Sequence, residues 1–262
     1  MIELAVIGAA GRMGKRVVSL AAESDDFTIV DAVDMPDCPD AGRDVGEIAG
    51  TGTLGVKLAD DFSGNPGVAV DFSLPEGTMK YLPLCRKKGV AMVIGTTGFT
   101  ESQLAEISDS ADDIPIVRAS NFSMGINLLL KLAGEVASSL GEDYDIEISE
   151  THHRFKKDAP SGTAVAIAES ICKATGKKYD EAAVFGRSGS RPRRSGEIGM
   201  HSLRAGDTIG EHTVYFGNLG ETVTLGHSAH TRDTFVRGAL RAAGWICGRK
   251  PGLYGMGDVL GI

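Results

Sequence analysis

The sequence predicts an α/β protein with a doubly wound parallel sheet, followed by a second α+β domain with an open mixed or antiparallel sheet. Three observations predict this order. Short apolar runs of strand length alternate with helical segments over the first 122 residues. A segment that alternates with period 2 follows, and then a stretch rich in β-branched residues and glycine turns. With 262 residues, of which 35 are glycines, the chain is long enough for two domains with many tight turns.

The predicted strands of the first part are apolar runs that suit the interior of a parallel sheet: Ile2–Ile7, Phe27–Val33, Val68–Phe72, Val90–Ile94 and Ile114–Val117. The predicted helices lie between these runs, at Gly14–Glu23, Thr78–Lys88 and Thr100–Ala111. Such alternation favours parallel pairing, with helices covering both faces of the sheet.

The pattern changes after about residue 122. Further helices are predicted at Gly125–Leu140, Ala164–Lys173 and Thr234–Cys247. Tyr144–Glu150 alternates with period 2, as a half-buried strand does. Residues 186–196 are rich in glycine, serine and arginine and predict an exposed loop, and residues 198–227 predict an antiparallel meander on an open sheet.

The composition is that of an ordinary globular protein, with 42% hydrophobic and 24% charged residues. The net charge of -8 argues against general binding to nucleic acid or to anionic membranes, because both require a basic surface. No secretory signal and no apolar run of about 20 residues is visible, so we expect a soluble cytoplasmic protein. The four cysteines are far apart and contain no CxxC pair, which favours free thiols.

A dinucleotide-binding turn is predicted by AVIGAAGRMG, where Gly8, Gly11 and Gly14 lie between the first strand and the first helix. Backbone at such a turn can approach a pyrophosphate, which hydrogen-bonds to the first amides of the helix. Asp34 ends the second apolar run, where a carboxylate can accept hydrogen bonds from an adenosine ribose. The alternative is a tight turn without a ligand; the order of strand, turn, helix, strand and acid favours the dinucleotide.

The residues around Asp34 also bear on the choice of cofactor. A carboxylate repels the 2′-phosphate of NADP, and Met35 follows Asp34 with no basic residue nearby in the loop. The sequence therefore favours NADH, used at least as well as NADPH, although Arg12 or Lys15 could reach a phosphate. The small-residue loops GTTGF (95–99) and SNFSMGIN (120–127) follow later strands and are predicted to line the nicotinamide end.

The stretch ETHHRFKKDAPSGTA, residues 150–164, is consistent with a metal site, a solvated basic loop or an anion pocket. The adjacent residues His152 and His153 have no third ligand at metal-binding spacing, which disfavours a metal. Most clusters of charged residues lie in solvated surface loops, so a basic loop is the ordinary alternative. The anion pocket is favoured because a helix begins near Ser161, where the first amides lack partners.

A hydride acceptor that carries carboxylates would be held there by Lys156, His153 and the turn 161–163. The reduction also requires a proton, and His152 or Lys156 could supply it, since burial or neighbouring charges can tune the pKa of either group.

The motifs named so far, taken together, resemble those of a known family. HHRFKKDAPSGTA, together with GAAGRMG, GTTGF, SNFSMGIN and EIGMHSLRAGDTIGEHTV, is similar to the 4-hydroxy-tetrahydrodipicolinate reductases, also called dihydrodipicolinate reductases. The resemblance runs from residue 2 to the final GMGDVL. It implies an NAD(P)H-dependent oxidoreductase that reduces a cyclic imine dicarboxylate to tetrahydrodipicolinate in lysine and diaminopimelate synthesis.

The resemblance also implies roles for single residues. His152 is the expected acid/base and Lys156 the expected proton donor. The substrate carboxylates are expected on His153, Ser161, Gly162 and Thr163, with a looser match at Arg232. The expected cofactor positions are Gly8, Ala9, Ala10, Gly11, Arg12, Met13, Gly14, Asp34, Gly95, Thr96, Thr97, Ala119, Ser120, Asn121 and Phe122. Phe155 stands where other members carry a further histidine, and Met35 where NADPH-using members carry arginine.

The resemblance implies a domain arrangement as well. Residues 1–122 and 234–262 would form the dinucleotide-binding domain, and residues 123–233 the substrate-binding and oligomerisation domain of a homotetramer. No metal, nucleic acid or membrane partner is expected. Two other functions stay open: a dehydrogenase acting on a sugar or hydroxy acid, and an NAD-sensing regulator. The basic loop 187–194 is expected to face solvent rather than cover the site.

Overall fold

The computed structural model describes all 262 residues and divides the chain into two compact units. The first unit comprises Met1–Met124 and Asp233–Gly261, and the second comprises Gly125–Arg232 with the terminal Ile262. None of the helices combines the length and the hydropathy that crossing a bilayer requires.

The first unit is built on a sheet of seven parallel strands. In chain order these are β1 Ile2–Ile7, β2 Phe27–Val33, β3 Leu58–Ala59, β4 Val68–Asp71, β5 Ala91–Ile94, β6 Pro115–Arg118 and β12 Gly252–Tyr254. They lie in the order β12-β6-β5-β4-β1-β2-β3. The chain therefore reverses its direction of travel between β1 and β4, which in such sheets is where ligands bind.

Helices cover both faces of this sheet, which explains why β4 and β5 are buried throughout and β1 is buried from Leu4 onwards. The helices are α1 Arg12–Ala22, α2 Val45–Ala49, α3 Pro75–Lys88, α4 Glu101–Ser110, α8 Asp233–Ile246 and α9 Met256–Leu260. One apolar core joins α1 and α8 to the sheet through residues such as Val17 and Val236. A second core joins α3 and α4 to the opposite face through Leu82 and Ile107.

The second unit contains a five-stranded mixed sheet with the order β11-β10-β7-β9-β8. Its strands are β7 Asp145–His152, β8 Ala183–Phe185, β9 Ile198–Arg204, β10 Gly210–Asn218 and β11 Glu221–Ala229. β10 is antiparallel to β7 and β11, whereas β9 is parallel to β7 and β8. The mixed sheet is confirmed.

The prediction of an antiparallel meander over residues 198–227 is wrong in one respect. β9 and β10 do not pair with each other, because β7 lies between them. β7 alternates buried and half-buried residues along most of its length and is paired on both edges. The connection from β9 to β10 crosses the end of β7, where the amide of Ala205 donates to the carbonyl of His152 at 2.9 Å.

Helices of the second unit pack on one face of this sheet. They are α5 Met124–Leu140, of which the second unit holds all but Met124, α6 Gly162–Thr175 and α7 Tyr179–Ala182. Their core joins Ala133 of α5, Ile167 of α6 and Ile148 of β7. The even-numbered residues of β7 thus point towards the helices, and this parity decides which polar side chains of β7 are buried.

Candidate active site

The glycine turn after β1 has the geometry that close backbone packing requires. Gly8 has φ of +76°, a conformation that side chains disfavour. A Cβ on Gly14 would lie 2.0 Å from the carbonyl oxygen of Gly8, so only glycine lets α1 approach β1 this closely. Gly11 is the N-cap of α1 and provides no side-chain cap, which leaves the first helical amides to an external acceptor.

Asp34 lies at the end of β2 beside this turn. Its carboxylate accepts hydrogen bonds from the amide of Ala10 at 3.0 Å and from the amide of Met35 at 2.9 Å. These bonds fix the carboxylate next to the glycine turn. Met35 is exposed, and no arginine or lysine follows it within the loop 35–42.

A cleft of about 800 Å³ opens at this edge of the sheet. Most of the predicted residues of the glycine turn line it, as do Asp34 and Met35. Ala9 and Gly14 are buried beneath it. The far wall is formed by residues that the motif did not indicate: Phe72, Ser73, Leu74, Glu76 and Gly77.

The two later loops lie at the ends of the neighbouring strands β5 and β6. Gly95 packs under the ring of Phe72, since a Cβ there would lie 2.2 Å from that ring. Thr96 is buried, and Thr97 is exposed. In the loop after β6, Ala119 donates to the carbonyl of Ile94 at 3.3 Å. Of that loop, Ser120 is exposed, the Asn121 side chain accepts from the amide of Ser123 at 2.8 Å, and Phe122 is buried against Phe72.

In the second unit, His152 and Glu150 lie on the buried face of β7. The Nδ1 atom of His152 lies 2.5 Å from Oε2 of Glu150. Burial lowers the pKa of His152 below its ordinary value, and the Glu150 carboxylate offsets part of this effect. His152 is therefore predominantly neutral at neutral pH, with one ring nitrogen bound to a carboxylate.

Arg204 holds Glu150 from the neighbouring strand β9. Its two terminal nitrogens each donate to one carboxylate oxygen at 2.9 Å, a bidentate pair. Burial alone would raise the pKa of Glu150, but hydrogen bonds from Arg204 and His152 outweigh it and lower that pKa to about 2. Glu150 is thus a fixed negative charge inside the protein.

The start of α6 lies beside this pair. Ser161 is the N-cap, and its hydroxyl accepts from the amide of Ala164 at 3.2 Å, while its own amide donates to Glu150 at 3.2 Å. A Cβ on Gly162 would meet nothing within 4 Å, so open space surrounds the first residue of the helix. The predicted helix start at residues 161–163 is confirmed, and it can receive an anion.

Lys156 and His153 lie in the loop between β7 and α6. The ammonium group of Lys156 lies 2.9 Å from Oδ2 of Asp158, and its amide donates to the carbonyl of His153. Nδ1 of His153 is buried without a hydrogen-bond partner. Arg154 and Lys157 of the same loop are exposed.

A third histidine, His212 on β10, completes the cluster. Its Nε2 atom lies 3.2 Å from the Ser161 hydroxyl, and its ring stands edge-on to His152 with centroids 5.2 Å apart. Burial, followed by the proximity of His152, lowers the pKa of His212 to about 4. His212 is therefore neutral at physiological pH.

Known proteins are similar to this chain in both sequence and fold. Models of the two halves of dihydrodipicolinate reductase match it, the N-terminal half over residues 2–122 and the C-terminal half over residues 125–260. The chain belongs to the dihydrodipicolinate reductase family.

Individual members of the dihydrodipicolinate reductase family match along the whole chain. A 4-hydroxy-tetrahydrodipicolinate reductase of Hahella chejuensis is 46% identical over 266 residues, covering 100% of both chains. One of Alkalilimnicola ehrlichii is 47% identical over 263 residues, covering 99% of this chain and 98% of its own. Among solved structures, a dipicolinate-bound dihydrodipicolinate reductase from Paenisporosarcina sp. TG-14 gives a TM-score of 0.77 at 26% identity. The match covers 98% of this chain and 99% of that one. The family and the fold class predicted from the sequence are confirmed.

Two further sets of basic residues came from the sequence, Arg232 and the loop 187–194. Arg232 is exposed at the turn before α8. The expectation that the loop 187–194 faces solvent is wrong for Arg187 and Arg193. Both are half-buried and bind Glu147, Arg187 at 2.6 Å, on the face of β7 opposite to His152.

Three residues of the cluster lie in segments that the sequence analysis quoted but were given no role there. Glu150 and His212 contact His152 or Ser161, and Arg204 binds Glu150, but none of the three belongs to the predicted set. One signal was available for Glu150. It lies two residues before His152 on a period-2 strand, so both side chains had to share a face.

Proposed function

We propose that this chain reduces 4-hydroxy-tetrahydrodipicolinate, a cyclic imine dicarboxylate, to tetrahydrodipicolinate with NADH or NADPH, in lysine and diaminopimelate synthesis. The observation that carries this proposal is the cluster at the end of β7. A histidine on a buried carboxylate lies beside a lysine and an open helix start, so one edge of the sheet offers both proton transfer and anion binding.

The first unit would hold the cofactor. Its cleft fits a dinucleotide, since Gly8 and Gly14 leave no room for side chains and the amides at the start of α1 lack a side-chain cap. Asp34 would accept the ribose hydroxyls, and the loops 95–97 and 119–122 would complete the site. When bound, the reduced nicotinamide supplies a hydride.

The second unit would hold the substrate. The amides of Gly162 and Thr163 would bind one carboxylate, while Ser161, whose own amide and hydroxyl are bound within the protein, would position that turn. The unpartnered Nδ1 of His153 suits another oxygen of the ligand. Arg232 would contribute as the looser match. The dipicolinate bound to the relative from Paenisporosarcina supports a pyridine dicarboxylate as the ligand class.

Protons would pass through Lys156 and His152. The overall reaction consumes the substrate, one hydride and one proton, and it releases the product and water. Lys156 is cationic and can donate that proton, while the largely neutral His152 can accept a proton and return it. Asp158 holds the Lys156 ammonium in place until a substrate carboxylate competes for it.

The cofactor preference follows from Asp34 and Met35. A carboxylate without a neighbouring cation repels a 2′-phosphate, so we expect NADH to be used at least as well as NADPH. Specificity constants for the two cofactors check this. A value for NADPH about tenfold above that for NADH, a difference of about 1.4 kcal/mol, would contradict it.

The homotetramer belongs to the same proposal. The face of the second sheet away from α5 and α6 carries half-buried and exposed residues such as Tyr215 and Leu203, and a second copy of the chain would cover it. Light scattering on the purified protein gives the number of chains directly.

The test of the activity uses the product of condensing pyruvate with aspartate semialdehyde. We expect NADH absorbance to fall only when that product and this protein are both present. Pyridine-2,6-dicarboxylate, a planar mimic, is expected to compete with the substrate and to raise the melting temperature. No NADH oxidation above background would overturn the proposed function.

A further inference from the structure

We propose that Glu150, held by Arg204, is the positioning residue that fixes the tautomer of His152 and ties it to the loop that carries Lys156. The proposal rests on the proposed function, because it assigns the device that prepares the proton-transfer groups of that same site. Neither Glu150 nor Arg204 contacts the substrate in this account.

Hydrogen-bond donors surround the carboxylate of Glu150. The side chain of Glu150 is only 1% exposed. Oε1 accepts from Arg204 at 2.9 Å and from the Ser161 amide at 3.2 Å, and Oε2 accepts from Arg204 at 2.9 Å. Oε2 also lies 2.5 Å from His152 Nδ1, and the Ser202 hydroxyl is a further donor to the carboxylate. An ionised carboxylate accepts but cannot donate, so Nδ1 must carry the hydrogen.

The other ring nitrogen of His152 is Nε2. With the hydrogen on Nδ1, Nε2 of neutral His152 carries a lone pair and is the atom that exchanges protons. A Cβ on Gly210 would lie 3.0 Å from Nε2. A side chain at this position would contact Nε2, so glycine keeps that nitrogen free of a side-chain contact from β10.

Arg204 links His152 to Lys156. Besides binding Glu150, Arg204 donates to the carbonyl of Asp158 at 2.5 Å, and the Asp158 carboxylate holds the Lys156 ammonium at 2.9 Å. One guanidinium thus contacts both the carboxylate behind His152 and the loop residue that orients Lys156. The Ser161 amide fixes the far end of that loop to the same carboxylate.

The charges that face His152 come from four elements. Glu150 lies on β7, Arg204 on β9, Lys156 in the loop before α6, and His212 on β10. Glu150 is the negative group among them. Its removal therefore changes the hydrogen-bonding state of His152 and leaves only cationic or neutral neighbours.

The same strand provides a matched control. Glu147 also lies on β7 and also binds two arginines and a histidine, Arg187, Arg193 and His201, the last at 2.6 Å. Its odd position places it on the opposite face, away from His152. Glu147→Gln thus removes a comparable charge from the same strand without touching the proposed site.

The experiment compares Glu150→Gln with Glu147→Gln. Arg204 and the Ser161 amide need oxygen acceptors, so the amide nitrogen introduced by Glu150→Gln is expected to face His152 and to move the hydrogen to Nε2. Nitrogen-15 NMR of the histidine rings, with the His152 signal assigned from a His152→Asn variant, reports the tautomer without any turnover. We expect the Nδ1–H tautomer in the wild type and in Glu147→Gln, and the Nε2–H tautomer in Glu150→Gln.

Kinetics then show whether the tautomer matters. We expect Glu150→Gln to lower kcat about 10²-fold or more with a smaller change in KM, as for loss of a correctly oriented acid/base group, and Glu147→Gln to keep kcat. A changed tautomer with unchanged kcat, or a wild-type ring protonated on Nε2, would overturn the proposal. If the wild type does not oxidise NADH, the proposed function fails, while the NMR result still decides the positioning role.

Arg204→Gln keeps the inference testable if Glu150→Gln does not fold. Removing this cation leaves Glu150 in contact with His152, so the pKa of His152 is expected to rise, and the pH profile of kcat/KM to move upward with it. An unmoved profile would overturn the role of Arg204.

Discussion

Two buried carboxylates, one in each unit, differ in the partners that surround them. Asp71, at the end of β4, is fully buried and accepts hydrogen bonds from the amide and hydroxyl of Ser73 and from the hydroxyl of Thr78. Burial raises its pKa. Glu150 is as deeply buried, yet its pKa is lowered to about 2, because Arg204 binds both oxygens.

The two carboxylates show that the two functional edges rely on different interactions. Neutral donors do not offset the desolvation of Asp71, whereas a bidentate guanidinium keeps Glu150 ionised. The edge of the first unit is formed mainly by backbone, glycines and neutral donors, with the half-buried Asp34 beside the glycine turn. The edge of the second unit is a network of charges that can direct a proton.

The largest expected effect tests the charged edge. Lys156→Ala removes the proposed proton donor, and we expect kcat to fall about 10²-fold or more. Steady-state NADH oxidation measures this, with Lys157→Ala as the control, since Lys157 is the exposed neighbour in the same loop. An unchanged kcat in Lys156→Ala would transfer the donor role to His152.

The next largest effect tests the close packing of the glycine turn after β1. Gly14→Ala and Gly162→Ala each add one methyl group, the first in the first unit and the second in the second unit. In Gly14→Ala the Cβ would lie 2.0 Å from the Gly8 carbonyl oxygen, so we expect a loss of about 1–3 kcal/mol of unfolding free energy. Gly162→Ala also alters the first turn of a helix but meets nothing within 4 Å, so its stability should not fall. Thermal or urea unfolding gives both values, and equal losses would show that packing of the glycine turn does not distinguish the units.

The smallest effect uses pH. The folded pKa of His212 is about 4, below its ordinary value of 6.5, so the unfolded chain binds the additional proton between these values. The neutral, buried His212 therefore makes its full contribution to stability above pH 6.5, and this contribution is lost as the pH drops towards 4. We expect the resulting fall in melting temperature to be smaller by about 2–4 °C in His212→Gln. Identical slopes for the two proteins would contradict the burial of a neutral His212.

Much of the fold was predictable from local pattern. β1 and β2 match their predicted ranges, because apolar runs bounded by turn residues define buried strands. α1 begins at Arg12 rather than Gly14, since Gly11 caps the helix and Gly14 packs inside its first turn. Short elements such as β3 and β12 were missed, because two or three residues carry no period.

What local pattern could not provide is pairing between distant segments. The position of β7 between β9 and β10 depends on how the whole sheet is assembled. The same limit applies to the site. His152, Lys156 and Ser161 were identified from one continuous motif, whereas Arg204 and His212 reach the site from positions more than forty residues beyond Ser161.

Isotope labelling of the cofactor tests hydride transfer from NADH to the substrate directly. NADH carrying deuterium at the transferable position of the nicotinamide is incubated with the protein and the condensation product of pyruvate and aspartate semialdehyde. We predict one deuterium in the ring of tetrahydrodipicolinate for each NADH oxidised, measured by mass spectrometry. Oxidation of NADH without deuterium in that ring would contradict the account.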